Sequence, residues 1–247
     1  ASPIHGLPSS VYFHINKEGT HLVVSACRAT HTKELVYTSL TGIIWMGADL
    51  AGVKEDEVWI PSQSYDAYHH TKALAEQTVL DANGVDGMAV MVLRLCGMTR
   101  ERNKQLIWCV AKLLEHGQEN IQIGDNMNLI DYLYVGNAAH AHILGVDHLL
   151  MSPESIAGQV FFITNGQLMP QWPFNRLIFR EVIWAKSEFN MSTVRFATGV
   201  QWYNIDKVCN LLGYEPKISL EEEICRTVQW WKASGAGECN QRKERRI

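Results

Sequence analysis

Apolar positions along this chain follow two periods, and the segments that carry them alternate. Residues 16–28 read as a helix whose apolar side is Leu22, Val23, Val24, Ala26 and Cys27. Residues 34–38 form a short β-prone run, closed by polar and glycine residues from Thr41 and Gly42. Residues 68–81 are helical by composition, with Asn83 and Gly84 as the stop. Residues 88–95 are almost continuously apolar and of strand length, the pattern of a strand covered on both faces. Helix, strand, helix, strand in this order predicts parallel-sheet units.

Farther on, a helix is expected over 105–116 and another over 137–150. A turn at Gly124-Asp125-Asn126 lies between strand-like stretches at 121–123 and 129–135. Residues 160–164 read as a strand ended by Asn165 and Gly166, and 220–233 as a last amphipathic helix. The chain shows no internal repeat. A doubly wound fold normally opens with a strand, a glycine-rich turn and a helix that hold a pyrophosphate. No glycines are so arranged near residue 1, so the chain reads as a fragment or truncated gene product.

Composition narrows the class. Of 247 residues 47% are hydrophobic and 19% charged, a balance that suits a globular protein. A net charge of −4 gives no pull toward nucleic acid. Six cysteines without Cys-x-x-Cys spacing and histidines that do not converge predict no metal site and reduced thiols. No stretch is long and apolar enough for a transmembrane segment. The expected compartment is the cytoplasm.

The chemistry lies in Tyr68-His69-His70-Thr71-Lys72, where a phenol and an ammonium at i and i+4 share one helix face. A phenol near pKa 10 is a poor base at neutral pH. A neighbouring cation stabilises the phenolate and lowers that value, which suits proton transfer to or from an alcohol or ketone. The spacing alone is weak: Tyr203 and Lys207 repeat it, and a surface helix contact is the plainer reading of either pair. Context separates them, because the Tyr68 segment follows a strand and leads into the buried run ending at Arg94.

The pieces Leu35-Val-Tyr-Thr-Ser39, Tyr65-Asp-Ala-Tyr68-His-His-Thr-Lys72-Ala-x-Ala-Glu76, Arg94-x-x-Gly97, Asp131-Tyr-x-Tyr134-Val135-x-Asn137 and Phe161-Phe-Ile-Thr164-Asn165 occur in that order. With them the chain resembles the extended short-chain dehydrogenases, in the branch of the 3β-hydroxysteroid and sterol-4α-carboxylate 3-dehydrogenases. The resemblance implies an α/β fold: a partial Rossmann-type, doubly wound parallel sheet with a smaller C-terminal substrate-binding part. Residues 1–150 would form the dinucleotide-binding domain, with 97–125 lent to the substrate part, and 151–247 would bind mainly substrate. It implies NAD or NADP as cofactor, an apolar small-molecule substrate and scope for a homodimer. Tyr68 would be the acid/base, Lys72 the ribose-binding cation, Asn16 the residue ordering a nearby water, and Ser39 the candidate hydroxyl. Ser2, Cys96 and Met98 would pass along the cofactor together with Tyr68 and Lys72.

Two departures matter. The family's second serine is Leu40 here, and Ser39 and Thr41 point opposite to Leu40 on a regular strand, so replacing that hydroxyl calls for irregular backbone. The family's Gly-Pro-Gly loop is Arg100-Glu101-Arg102. The favoured activity is interconversion of a secondary alcohol and ketone on a sterol, terpenoid or meroterpenoid-like compound in a specialised pathway. A decayed or truncated non-enzymatic relative, or a nucleotide-sugar epimerase or reductase, are the alternatives. Trp172, Phe174, Trp184, Phe189, Phe196, Trp202 and Tyr203 are candidate lining for an apolar pocket, with core packing the competing role.

Overall fold

The computed structural model describes residues 3, 6–101, 122–182 and 199–234, the side chains of 179–182 excepted. The helix expected over 105–116, Ser2, Trp184, Phe189 and Phe196 lie outside them. The main sheet is parallel, with β1 (Glu34–Leu40), β3 (Ala89–Leu95) and β7 (Val160–Ile163) in the order β1-β3-β7. Its register runs from Glu34 against Ala89 to Leu40 against Leu95, and from Val92 against Val160 to Leu95 against Ile163.

Strand β3 explains the layering. Met91, Leu93 and Leu95 join the cluster of Ala138, Ala141 and Leu149, while Val90 and Val92 join that of Val24 and Val79. A period of two thus sends one set of side chains to each side. On the first side lies α4 (Val135–Met151). On the other lie α1 (Ser9–Tyr12), a π-helical turn (Phe13–Glu18), α2 (Gly19–Ala29) and α3 (Ala67–Leu80). Gly145 of α4 lets that helix close on the sheet: a Cβ there would stand 2.1 Å from the Met91 methyl. Gly84, at φ +81°, ends the α3 region as expected.

Among the described residues most periodic segments form where the pattern placed them, but 122–123 carry no strand, 129–134 are split at Asp131 into two short strands, and the first helix is offset. The first helix starts well before residue 16, and Leu22 and Val23 face outward at 65% and 54% exposure while Val24 is buried. Short strands without a periodic signal build a second sheet: β2 (Leu50–Val53), β9 (Gln201–Tyr203), β5 (Leu129–Ile130) and β8 (Met169–Pro170), in the order β2-β9-β5-β8. A pair of β4 (Gly97–Thr99) and β6 (Tyr132–Tyr134) lies beyond the end of β3. Among the described residues the remaining α-helices are α5 (Pro153–Ile156), α6 (Gln171–Val182), α7 (Asp206–Leu212) and α8 (Leu220–Ala233).

The outer edge of β7 is capped by charges. Glu55 accepts a hydrogen bond from the Phe162 amide at 2.7 Å, and the Lys207 amine donates to the Val160 carbonyl at 2.8 Å. These groups occupy positions that another strand would pair with.

Candidate active site

Helix α3 begins at a capped end: the Asp66 side chain accepts from the His69 amide at 2.8 Å. Its rotation is fixed one turn past Lys72. The guanidinium of Arg94 on β3 grips Glu76 from two nitrogens, at 2.6 Å and 3.1 Å, and both side chains are buried. An arginine inside an apolar strand must find such a partner.

That rotation turns Lys72 onto β1. Its amine donates to the Thr38 carbonyl at 2.9 Å and to the Tyr37 hydroxyl at 3.2 Å, and stands 4.8 Å from the Tyr37 ring centre. Burial lowers its pKa to about 8, with the Glu76 carboxylate opposing. Tyr68 lies one turn earlier, edge-on to Tyr12 with ring centres 5.6 Å apart. Asn16 sits buried in the π turn and donates to the Thr71 hydroxyl at 3.0 Å, which itself donates to the Tyr68 carbonyl at 3.0 Å. Asn16 is thus tied to the turn of α3 that lies between Tyr68 and Lys72.

Ser39 follows Thr38 on β1. Leu35 and Tyr37 pack in the cluster of Val24 and Val79, Val36 and Leu40 in the other one, so alternation gives Ser39 the Tyr37 side. It is 3% exposed, and its hydroxyl has no hydrogen-bond partner. The backbone turns irregular at Thr41, where a 3₁₀ turn (Thr41–Ile44) begins. Cys96 and Met98 follow β3, the first buried and the second 44% exposed. Burial raises the Cys96 thiol well above its ordinary value, and the Asp131 and Glu223 charges add to this.

Tyr203 and Lys207 do not share a helix. Tyr203 is on β9, buried, and Lys207 is in α7, tied to Val160. Trp172, Phe174 and Tyr203 are core residues, and Trp202 packs against Gly52. Sequence reasoning passed over two features. One is Tyr37, whose signal was its position two residues before Ser39. The other is a buried pair of acids, Asp131 and Glu223. Glu223 of α8 accepts from the Thr99 hydroxyl and from Asn165 Nδ2, the latter at 2.6 Å, and burial raises it to about 7. Burial raises Asp131 to about 6. The Thr164 hydroxyl and the amides of 165–167 face it and offset part of that rise, though none closes to hydrogen-bond geometry.

The 3-beta hydroxysteroid dehydrogenase/isomerase family model matches residues 1–191. The chain belongs to that family. It is a nicotinamide-dependent oxidoreductase of the short-chain dehydrogenase type. Sterol-4-alpha-carboxylate 3-dehydrogenase (decarboxylating) of Schizosaccharomyces pombe is 37% identical, over 93% of this chain and 75% of that protein. The enzyme of the same name from Saccharomyces cerevisiae is 32% identical over 93% and 74%, and the human one 25% identical over 89% and 67%. Among solved structures, UDP-glucuronic acid 4-epimerase from Bacillus cereus in complex with NAD matches 94% of this chain and 72% of its own, with TM-score 0.71 and 16% identity. RMD from Pseudomonas aeruginosa, complexed with NADPH, matches 90% and 74% with TM-score 0.64 and 19% identity. At these identities they establish the Rossmann-type α/β fold.

The site fits the ribose and nicotinamide end of NAD or NADP. Lys72 spends two of its three N–H groups on β1 and keeps a third for a hydroxyl. Ser39 holds a buried, unpartnered oxygen on the same side. Both stand toward the carboxyl ends of parallel strands, where open α/β sheets bind ligands.

Proposed function

We propose that this chain oxidises the 3β-hydroxyl of a sterol bearing a 4α-carboxyl group, with release of carbon dioxide. The observation that carries the reading is the Tyr68–Lys72 pair on α3, with the amine seated on the Thr38 carbonyl and the Tyr37 hydroxyl of β1. The names of the relatives support a sterol, and they lend nothing to the terpenoid, meroterpenoid or specialised-pathway expectation. Contact with the membrane where sterols reside fits such a substrate, and among the described residues no helix is long and apolar enough to cross one.

The bound dinucleotide supplies the hydride acceptor. Tyr68 takes the hydroxyl proton as its phenolate, and the Lys72 ammonium stabilises that phenolate. Ser39 donates a hydrogen bond to the oxygen that becomes the carbonyl. Once C3 is a ketone, the carboxylate on C4 is that of a β-keto acid. Its C–C bond breaks with loss of carbon dioxide, the electron pair enters the enolate, and a proton returns it to the ketone.

The test is incubation of the chain with NAD or NADP and a 4α-carboxy-3β-hydroxysterol, followed by mass analysis. The expected product is the 3-ketone lacking the carboxyl, absent when Tyr68→Phe is used. No turnover with either cofactor, or full turnover by Tyr68→Phe, overturns the reading.

A further inference from the structure

Lysine carries a long side chain with large rotamer entropy, and a catalytic amine needs a seat. Here the seat is two adjacent residues of β1. The Thr38 contribution is a backbone carbonyl, available whatever side chain stands there. Thr38 is itself braced from the far side of the sheet: its hydroxyl lies 2.7 Å from His142 Nε2, while His142 Nδ1 donates to the Ala138 carbonyl at 2.7 Å. The Tyr37 contribution is a side chain, offering both a hydroxyl at 3.2 Å and a ring face at 4.8 Å. Its ring packs in the cluster formed by Val24, Val79, Val90 and Val92, so α2, α3 and β3 together hold it.

We propose that Tyr37 is a positioning residue for catalysis, whose hydroxyl and ring hold the Lys72 ammonium one helical turn from Tyr68. The assignment rests on the reading of Lys72 given above.

An acceptor oxygen and a ring face both favour the charged form of an amine. That matters at Lys72, because burial has already lowered its pKa to about 8. The charged and titratable groups around the amine are Tyr68 and Glu76 on α3 and Tyr37 on β1, with Arg94 of β3 engaging Glu76. Tyr37 itself is pushed up to about 12, first by burial and then by Glu76 and Tyr68, against the pull of the Thr20 hydroxyl. It remains a neutral phenol at working pH and does not compete with Tyr68 as a base. Two tyrosines near one lysine thus hold different roles, set by their surroundings.

Tyr37→Phe keeps the ring and removes the oxygen, a nearly isosteric change. In protein labelled with ε-¹³C lysine, with the resonance assigned through Lys72→Arg, the Lys72 titration midpoint should fall by about one pH unit. Tyr37→Leu, which also removes the ring face, should lower it further. With NAD and the carboxysterol, kcat should fall in Tyr37→Phe with the sterol KM unchanged; the fall should begin about one pH unit lower, where Lys72 now loses its proton, and deepen as pH rises. An unmoved Lys72 midpoint in Tyr37→Phe overturns the proposal, whatever the activity. A shifted midpoint together with a fully active Tyr68→Phe leaves the seat standing and removes the functional reading instead.

Discussion

Ser39 and Leu40 are neighbours on β1 whose side chains belong to opposite sides of the sheet. Leu40 packs toward the cluster that includes Leu93, Leu95 and Ala138, and Ser39 lies on the side of Tyr37 and Lys72. The motif places leucine where relatives carry serine, yet the strand ends at Leu40 and the irregular turn starts only at Thr41. The proposed function therefore assigns the hydroxyl to Ser39. An oriented donor aimed at a developing oxyanion is worth about 10²-fold in rate. Ser39→Ala should lower kcat by roughly that factor without changing the fold. Leu40→Ser should cost stability and give no gain in rate. Steady-state kinetics beside thermal melts separate the two, and a faster Leu40→Ser would return the role to that position. Tyr68 and Lys72 were readable because helical spacing is local. Alternation alone put Ser39 opposite the position of the family's serine, and only the packing of Leu35 and Tyr37 shows which side that is. The burial of Asp131 and Glu223 was not readable, because 92 residues separate the two and Glu223 is one of three consecutive acids at a helix start, where an exposed role is the plainer reading.

At the scale of elements, α3 is keyed to the sheet by Glu76 and Arg94. Removing one member of a buried, two-point ion pair strands the other charge, at a cost of about 3–5 kcal/mol. Removing both for apolar groups of similar size costs far less. Arg94→Met and Glu76→Leu should each lower the denaturant midpoint sharply, and the double variant should recover most of the loss. Additive losses would mean that the two residues act separately. Because α3 also carries Tyr68 and Lys72, the single variants should lose turnover in excess of their loss of folded protein. The strands and helices with clear period, such as β1, β3, α3, α4, β7 and α8, were legible from pattern. The second sheet was not: its strands are two to four residues long, too short for any period to register. The apolar side of α2 was misjudged because three consecutive apolar residues, Leu22 to Val24, span too wide an arc of a helix to name the inward one.

Across the molecule, the buried acids tie the C-terminal helix to the rest. Glu223 reaches from α8 to Thr99 of β4 and to Asn165, which in turn accepts from Asn137 of α4 at 2.8 Å. Both Asp131 and Glu223 have folded pKa values raised above their ordinary ones, to about 6 and about 7. The unfolded chain gives up these protons first, so stability falls as pH rises from about 4 through 7 and is fully restored only below about 4. The cost above pH 7 is on the order of 3 kcal/mol per group, and for Glu223 part of it is repulsion from Asp131. Thermal melts at pH 5 and pH 8 should show a drop for the parent protein and a smaller one for Glu223→Gln. Equal drops would mean that Glu223 carries its charge without penalty.

The π turn at Phe13–Glu18 has a consequence of another kind. Such a turn holds one residue more than the same stretch of α-helix, and it commonly marks a place where function has been kept against regularity. Deleting a single residue there would let the backbone relax into an unbroken α-helix. The helix beyond it would swing by about 100° about its own axis relative to the part before. Asn16 would then leave Thr71, or Val24 would leave the core; one helix cannot satisfy both without the extra residue. The insertion is the hinge pin between a packing requirement and a chemical one. A lineage that lost it would gain a better helix and a poorer enzyme.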